Sequence, residues 1–449
     1  MIRIKRRARS ALLLAALLVG GVCFYAARFA LQGGRWAASY VNRAVYADGR
    51  LAVGELTDRN GVVLASPGGT GIVFAEDEKL RRAALHVTGD AAGNIGTGAL
   101  TAFKSQLIGY DIVNGVYARG GAGGQVALTV DSRLQTAAYD ALANRRGCVI
   151  VSDYETGDIV CVASSPTFDP AFPPESAELD ARYEGVYINR AISSAYIPGS
   201  IFKLVTSAAA IENIGDIYSR VFECSGSTDV GGDTVTCTQA HGSLTFEDAL
   251  AVSCNVTFAQ LSLELGADTL ARYADEFGLT RRHAIDGIET AKGGFDKGGE
   301  GSPELAWSGV GQYNDTVCPA AMLRLVSAIA GDGAAAHLRL VSRGAVSRLI
   351  PPATERLMAA DTARQLALMM NYNASRTYGA SNFPGLELYA KSGTAEVGGG
   401  KQPHAWFTGY ITNDGCHLAF TAIVENGGSG ASAAGAVVNA VLQEALRIY

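Results

Sequence analysis

The chain has 449 residues, of which 48% are hydrophobic and 18% are charged. This length exceeds one ordinary hydrophobic core and predicts at least two domains, and the composition excludes a disordered chain. The formal net charge is −6. Because the first 30 residues hold six basic and no acidic side chains, the remainder carries 31 basic against 43 acidic groups. An acidic body excludes a nucleic-acid-binding protein.

The N-terminus predicts a membrane anchor. Residues 11–27 form an uncharged apolar run of 17 residues, preceded by five basic residues and followed by Arg28. A helix of that length just crosses a bilayer, and the basic cluster keeps its own end cytoplasmic. A cleaved signal peptide is the alternative, but the run is longer than a usual signal core and no clear A-x-A site follows. We therefore expect a single-pass cell-membrane protein in which everything after Arg28 is extracytoplasmic.

Three regions are predicted along the chain. Residues 1–31 form the cytoplasmic tail and anchor, and 32–125 form a small β-rich, non-catalytic module. In that module, TDRNGVVLA at 57–65 predicts a strand, a turn at Asn-Gly and a second strand. Residues 126–449 form the largest domain. It begins with a helix capped by Asp131 and a buried hairpin at 148–164.

The pattern after residue 200 alternates between helical and strand-like blocks. Helical patterns fill 200–215, much of 245–275, 317–332 and 434–448, and strand patterns lie at 387–393, 405–410 and 417–424. Two strands therefore precede a helical block and three follow it. Short hairpin links favour antiparallel pairing, so we predict an α+β fold in which both ends of the domain build one antiparallel sheet flanked by helices, with a helical subdomain.

Eight cysteines fit neither a small disulfide scaffold nor a recognisable zinc motif. Cys224 and Cys237 lie 13 positions apart in a loop-like segment, which predicts a disulfide in an oxidising compartment. A metal site would recruit His241, but no second ligand pair has zinc spacing, so we predict no metal. Cys148 and Cys161 flank the predicted hairpin and could form a disulfide or be two buried apolar residues.

Three short motifs indicate the chemistry. They are S-x-x-K at 200–203, S-x-N at 253–255 and K-S-G-T at 391–394. Each is weak alone, but the chain has only eight lysines and each motif occurs once. Their order is the order of a serine acyl-enzyme with a lysine base. Together they predict nucleophilic catalysis through an acyl-enzyme.

The residue types explain these spacings. Lys203 lies one helical turn from Ser200, and as a neutral amine it could take the hydroxyl proton. Burial and the nearby charge of Lys391 would lower the pKa of Lys203. Asn255 would orient Lys203 and the substrate, and Ser253 would relay a proton to the leaving amine. The expected substrate-binding residues are Lys391, Ser392, Gly393 and Thr394, with the backbone N–H groups of Ser200 and Thr394 as the oxyanion hole.

The chain resembles class B penicillin-binding proteins, the membrane-anchored D,D-transpeptidases of peptidoglycan synthesis. The resemblance lies in YIPGSIFK (196–203), HGSLTFEDALAVSCN (241–255), and KSGTAEV with HAWFTGY (404–410), and it covers 126–449 well and 50–66 loosely. It implies a penicillin-binding transpeptidase fold, D-Ala-D-Ala stem peptides as substrate, β-lactams as covalent inhibitors and no cofactor. It also implies a SEDS-type glycan polymerase as a partner.

Some features differ from the family or leave alternatives. In GVGQYNDTVCP, Tyr313 and Cys318 replace small and hydroxyl residues of the family. Three alternatives remain: a β-lactamase or β-lactam sensor with the same triad, a carboxypeptidase, and a membrane scaffold that activates the polymerase. The first lacks support because no E-x-x-L-N-like segment lies between Ser253 and Lys391. Cys254 is interpreted as a small buried side chain, and His404 as a structural histidine.

Overall fold

The computed structural model describes residues 2–37, 46–47, 50–51, 54–68, 71–110, 123–176, 179–344 and 347–449. Its first element is helix α1, Ile2–Ala37. The span Ile4–Gly34 contains an 18-residue window with a mean hydropathy of 2.2, and it is long and apolar enough to cross a membrane. The helix begins earlier than the predicted apolar run and includes the basic cluster.

Among the described residues that follow, there are six short strands and four short helices, and four of the strands form one sheet. The strands are β1 (Tyr46–Ala47), β2 (Arg50–Leu51), β3 (Glu55–Thr57), β4 (Val63–Gly68), β5 (Gly71–Phe74) and β6 (Gln125–Ala127), and the helices are α2 (Glu78–Ala83), α3 (Leu85–Thr88), α4 (Ala99–Ala102) and α5 (Lys104–Leu107). The sheet order is β5-β4-β3-β6, with β3 and β6 parallel. The predicted strand–turn–strand is confirmed, with Gly61 at φ 83°. Part of the predicted module at 32–125 lies outside the described residues.

The predicted catalytic domain contains the remaining elements. The helices are α6 (Ser132–Leu142), α7 (Arg190–Ser193), α8 (Lys203–Asn213), α9 (Phe246–Ala251), α10 (Asn255–Leu265), α11 (Ala267–Glu276), α12 (Pro303–Ser308), α13 (Pro319–Ala330), α14 (Ala360–Asn373) and α15 (Gly430–Ile448). The strands are β7 (Gly147–Asp153), β8 (Ile159–Ser165), β9 (Phe222–Cys224), β10 (Ser227–Val230), β11 (Asp233–Thr236), β12 (Gly242–Leu244), β13 (Ala284–Ile285), β14 (Ile288–Glu289), β15 (Ala334–Ala336), β16 (Thr354–Arg356), β17 (Leu388–Ala395), β18 (His404–Asn413) and β19 (Cys416–Val424).

The central sheet joins both ends of this domain, as predicted. Its order is β17-β18-β19-β7-β8, and every neighbouring pair is antiparallel. The two strands that precede the helical block therefore pair with the three that follow it. Asp131 caps α6 as expected by accepting a hydrogen bond from the Arg133 N–H. The helix ends at Leu142, with Ala143 in the left-handed region at φ 49°.

Hydrophobic cores lie on both faces of the central sheet. Val149 and Val151 point to one face, which is covered by α6 and α15, whereas Cys148 and Ile150 point to the other, which is covered by helices including α7 and α13. This alternation is the period-two pattern of a buried strand. Cys161 belongs to the same core as Val149, so the sheet separates it from Cys148. Of the two alternatives for this pair, the disulfide is therefore wrong, and the two cysteines are buried residues with free thiols.

Candidate active site

Ser200 lies in a short 3-10 turn at the beginning of a helix. The turn spans Gly199–Phe202 and continues directly into α8. Gly199 has φ 57°, and a Cβ there would lie 2.6 Å from the carbonyl oxygen of Thr394. Only glycine therefore lets this turn approach β17 so closely. The indole Nε1 of Trp406 in β18 donates a hydrogen bond to the Ile197 carbonyl at 2.8 Å, which fixes the turn to the sheet.

Lys203 lies one turn after Ser200 and is completely buried. Its Nζ lies 3.2 Å from the Ser200 Oγ, 2.7 Å from the Ser253 carbonyl oxygen and 2.8 Å from the Asn255 Oδ1. Burial lowers the pKa of Lys203 to about 7, because the ammonium loses its hydration. A substantial fraction of Lys203 is therefore neutral near neutral pH, and a neutral amine beside a hydroxyl can act as its base.

The second motif turns sharply so that two of its side chains face Lys203. Ser253 has φ 56°, in the left-handed region that a non-glycine residue rarely adopts. Asn255 is the first residue of α10, and Cys254 is its N-cap. The Ser253 Oγ lies 3.1 Å from the Lys203 Nζ, and the Asn255 Nδ2 donates a hydrogen bond to the Thr236 carbonyl at 2.8 Å. Such backbone strain is typical of residues held in place for a function.

Lys391, in β17, reaches the same serine from the opposite side. Its Nζ donates hydrogen bonds to the Ser253 Oγ at 3.1 Å and to the Ser392 carbonyl at 2.8 Å. Burial lowers the pKa of Lys391 well below its usual value, and repulsion from Lys203 lowers it further. The second-lysine effect that we expected on Lys203 thus acts on Lys391. The Ser253 hydroxyl connects the two amines in a continuous hydrogen-bonded chain.

The three motifs open onto one cleft of about 820 Å³. Its walls include the side chains of Ser200, Ser253, Asn255, Ser392 and Thr394. The structure therefore brings these five predicted residues together at one cleft, whereas Lys203, Lys391 and Gly393 are buried and do not line it. Gly393 is buried, and a Cβ at this position would lie 2.9 Å from the Pro198 carbonyl oxygen. Its lack of a side chain lets β17 pack against the turn that carries Ser200.

A family model decides the classification. The penicillin binding protein transpeptidase domain matches residues 147–444, which is well over half of the chain. The chain belongs to this family. It is a class B penicillin-binding protein with a serine D,D-transpeptidase domain, as the family resemblance of its sequence implied.

Individual relatives and solved structures agree with this assignment. The chain is similar to the peptidoglycan D,D-transpeptidase PbpA of Mycolicibacterium smegmatis, with 28% identity over 376 residues that cover 77% of this chain and 76% of that protein. Among solved structures, it is similar to the D,D-transpeptidase domain of a peptidoglycan glycosyltransferase from Eggerthella lenta. The TM-score is 0.75 with 27% identity, covering 88% of this chain and 98% of that one. Penicillin-binding protein A of Mycobacterium tuberculosis gives a TM-score of 0.74 with 25% identity, covering 88% and 99%.

Sequence reasoning missed two residues of this penicillin-binding site. Tyr378 is buried, and its hydroxyl accepts hydrogen bonds from the Ser392 N–H and from the Asn373 Nδ2. It ends an irregular helical turn far from any motif, so no sequence signal could have identified it. Gln312 lines the cleft, and its Nε2 donates a hydrogen bond to the Thr394 carbonyl at 3.2 Å. It lies in GVGQYNDTVCP, the segment in which two residues differ from the family.

Tyr313 and Cys318, the two departures from the family pattern, occupy different places. Tyr313 lines the cleft and is 45% exposed, with φ 71°. Cys318 is buried at the start of α13, where its thiol donates to the Ile192 carbonyl at 3.4 Å. Tyr313 therefore alters the cleft wall, whereas Cys318 belongs to the core.

The remaining interpretations concern His404 and the cysteine pair. His404 Nδ1 accepts a hydrogen bond from the Asn426 N–H at 3.0 Å, and the ring packs edge-on against Tyr196, which agrees with a structural histidine. The Sγ atoms of Cys224 and Cys237 are 3.7 Å apart, and both thiols are free. The predicted Cys224–Cys237 disulfide is thus absent from the structure, because a disulfide requires about 2.05 Å between the sulfurs.

Proposed function

We propose that this chain crosslinks peptidoglycan stem peptides and that Ser200 is its nucleophile. In the first step the Ser200 Oγ attacks the carbonyl carbon of the penultimate D-Ala, and neutral Lys203 takes the hydroxyl proton. The bond to the terminal D-Ala nitrogen breaks, and the Ser253 hydroxyl relays a proton to that leaving amine. An amino group of a second stem peptide then attacks the ester, which forms the crosslink and releases Ser200.

One observation carries this proposal. Lys203 lies within 3.2 Å of the Ser200 Oγ and within 3.1 Å of the Ser253 Oγ, which itself lies 3.1 Å from Lys391. A proton taken from Ser200 therefore has a hydrogen-bonded route toward a leaving group in the cleft. Asn255 holds the Lys203 Nζ in this position through its Oδ1. The named activity of the similar mycolicibacterial PbpA supports the choice of substrate.

The rest of the cleft accounts for binding. Ser392 and Thr394 present hydroxyl groups on the cleft wall beside Lys391, where they would hold the substrate carboxylate. The backbone N–H groups of Ser200 and Thr394 would stabilise the oxyanion, and each such donor contributes about 3 kcal/mol in comparable sites. No metal or organic cofactor takes part in these steps.

We also propose that α1 anchors the protein in the cell membrane as a single span. The helix carries five basic residues before its apolar part, and its apolar side chains are exposed, as for Leu13 and Leu17 at 65% each. By the positive-inside rule, the catalytic domain (126–449) would be extracytoplasmic. The anchor and the module at 32–125 would then contact a SEDS-type polymerase. Cysteine accessibility labelling tests this topology. Variants without Cys23 receive one new cysteine near either end of α1, and each variant is labelled from each side of the membrane.

Mass spectrometry after exposure to benzylpenicillin tests the catalytic proposal. The full chain in detergent should carry one penicilloyl adduct on the peptide that contains Ser200, and the adduct should persist for many minutes. Ser200→Ala should abolish it, whereas Ser219→Ala, at an exposed serine in the same domain, should leave it intact. An adduct on another residue would refute the assignment of the nucleophile, and rapid release of hydrolysed penicillin would favour a β-lactamase. In cells, normal crosslinking with Ser200→Ala would favour the scaffold role.

A further inference from the structure

Three cysteines and one histidine meet directly behind the second motif. Cys224 ends β9, Cys237 follows β11, His241 precedes β12, and Cys254 caps α10. Their three sulfurs and one imidazole nitrogen all lie within 4.8 Å of one another. Cys224 and Cys254 are almost fully buried, and the other two are half-buried. Four separate segments therefore direct their potential metal ligands to one point.

The separations between these atoms match the edges of a metal-centred tetrahedron. The Cys237 Sγ lies 3.7 Å from both the Cys224 Sγ and the Cys254 Sγ, and the Cys224 Sγ lies 3.4 Å from the His241 Nδ1. Tetrahedral zinc with zinc–sulfur bonds of about 2.3 Å separates its sulfurs by about 3.8 Å, and a sulfur from a nitrogen by about 3.5 Å. The distances are too long for a disulfide and agree with ligands spaced around an ion.

Backbone donors around the cluster point at the sulfurs. The N–H groups of Asn255 and Val256 donate to the Cys237 Sγ at 3.1 and 3.3 Å. The Thr257 N–H and hydroxyl donate to the Cys254 Sγ at 3.5 and 3.3 Å. Hydrogen bonds of this kind orient and stabilise thiolates, the form in which cysteine binds a metal. All four donors belong to the first three residues of α10, so the cluster and the helix start share one network.

We propose that Cys224, Cys237, His241 and Cys254 bind one structural Zn²⁺ ion, which fixes the loop that carries Ser253 and Asn255. Three thiolates and an imidazole complete the four-coordinate shell of a closed structural site. Because Cys254 lies between Ser253 and Asn255, an ion bound there constrains the backbone on both sides of the motif. This proposal replaces the expectation of no metal. From the sequence, Cys254 does not count as a ligand, because it lies inside the S-x-N motif and is interpreted as a small buried side chain.

A disulfide is the competing use of these thiols. It would join two of the three sulfurs and leave one thiol and the histidine without a function at the same point. A set of three sulfurs and one imidazole nitrogen, with N–H groups that donate to two different sulfurs, fits a bound metal ion better than a disulfide. Cys237 is central to both readings because it lies 3.7 Å from each of the other two sulfurs.

Metal analysis of the full chain in detergent tests the site. The protein purified without chelators should contain about one Zn²⁺ per chain, as expected for a closed four-ligand site. His241→Ala and Cys254→Ala should remove most of this zinc, whereas Cys318→Ala, at a buried cysteine outside the cluster, should retain it. Substitution with Co²⁺ should give the visible absorption bands of a tetrahedral thiolate site. A metal-free preparation with normal penicillin acylation, or a disulfide among the three thiols, would overturn the proposal.

A second measurement needs no variant, so it still tests the proposal if the substituted chains fail to fold. Zinc is removed from the unaltered chain with a chelator, and Zn²⁺ is then added back under reducing conditions. We expect the thermal midpoint and the penicillin acylation rate to fall on removal and to recover on addition, because the loop that carries Ser253 and Asn255 loses and regains its support. Unchanged values after complete removal would refute the structural role. Zinc content is measured independently of acylation, so this proposal and the catalytic one can fail separately.

Discussion

The buried amine of Lys203 makes a quantitative prediction for the pH dependence of acylation. Only the neutral amine can accept the proton of Ser200, and burial lowers its pKa to about 7. Lys203 is therefore protonated and inactive as a base below this pH, and it becomes active as the pH rises. The neutral fraction grows from about one-tenth at pH 6 to about nine-tenths at pH 8. We expect the second-order acylation rate constant to rise about tenfold over this interval and then to level off.

Stopped-flow measurements with a fluorescent penicillin would check this profile on the full chain. The matched control is His404→Gln, which removes the half-buried histidine beside the third motif but no member of the hydrogen-bonded chain. Burial lowers the pKa of His404 below its usual value, so its titration does not account for an inflection near 7. A rate constant that varies less than about twofold between pH 6 and 8 would refute Lys203 as the base. Loss of the inflection in the control would assign it to the histidine instead.

Three substitutions test the contacts that hold the catalytic residues in position. Asn255→Ala removes the 2.8 Å acceptor of Lys203. A hydrogen bond between neutral groups contributes about 0.5–1.5 kcal/mol, so acylation by fluorescent penicillin should slow about 2- to 10-fold, and an unchanged rate would contradict the orienting role. Tyr378→Phe leaves the Ser392 N–H without its partner and should lower the free energy of unfolding by about 1–3 kcal/mol, measured by denaturant titration; equal stability would argue against this bond. Gly393→Ala places a methyl group 2.9 Å from a carbonyl oxygen of the nucleophile turn and should reduce both stability and acylation, and a variant with normal acylation would show that the turn can move.

Local spacing rules predicted the parts of the site that lie on single elements. Ser200 and Lys203 are three residues apart in a helical segment, and that separation alone brings their functional groups together. The five-stranded sheet followed from counting strand patterns before and after the helical block. The approach of Lys391 to Ser253 across 138 positions could be predicted only from the family resemblance, because spacing says nothing about which distant segments meet.

Other parts of the site depend on contacts that the sequence does not encode locally. Tyr378 reaches the third motif from an irregular turn, and its only sequence signature is one tyrosine among 18. The sequence left a disulfide and two buried apolar residues as alternatives for Cys148 and Cys161. The disulfide fails because a strand alternates its faces, so two cysteines in one hairpin can lie on opposite sides of the sheet. Which face each thiol occupies depends on the register of the pairing, and only the structure provides it.

The cysteine cluster shows why ligand spacing is a poor guide when a site is built from loops. Zinc motifs are recognised by pairs of ligands two to four residues apart, and this chain offers one such pair, Cys237 and His241. The other two ligands arrive from β9 and from the start of α10, so the set spans 31 positions. The left-handed turn at Ser253 sends the Cys254 side chain away from the cleft while its neighbours face Lys203. A metal ligand in the middle of the motif can therefore hold both catalytic neighbours through the backbone without touching the substrate. Loss of the metal should accordingly impair Ser253 and Asn255 together and leave the turn at Ser200, which is fixed by Trp406, in place.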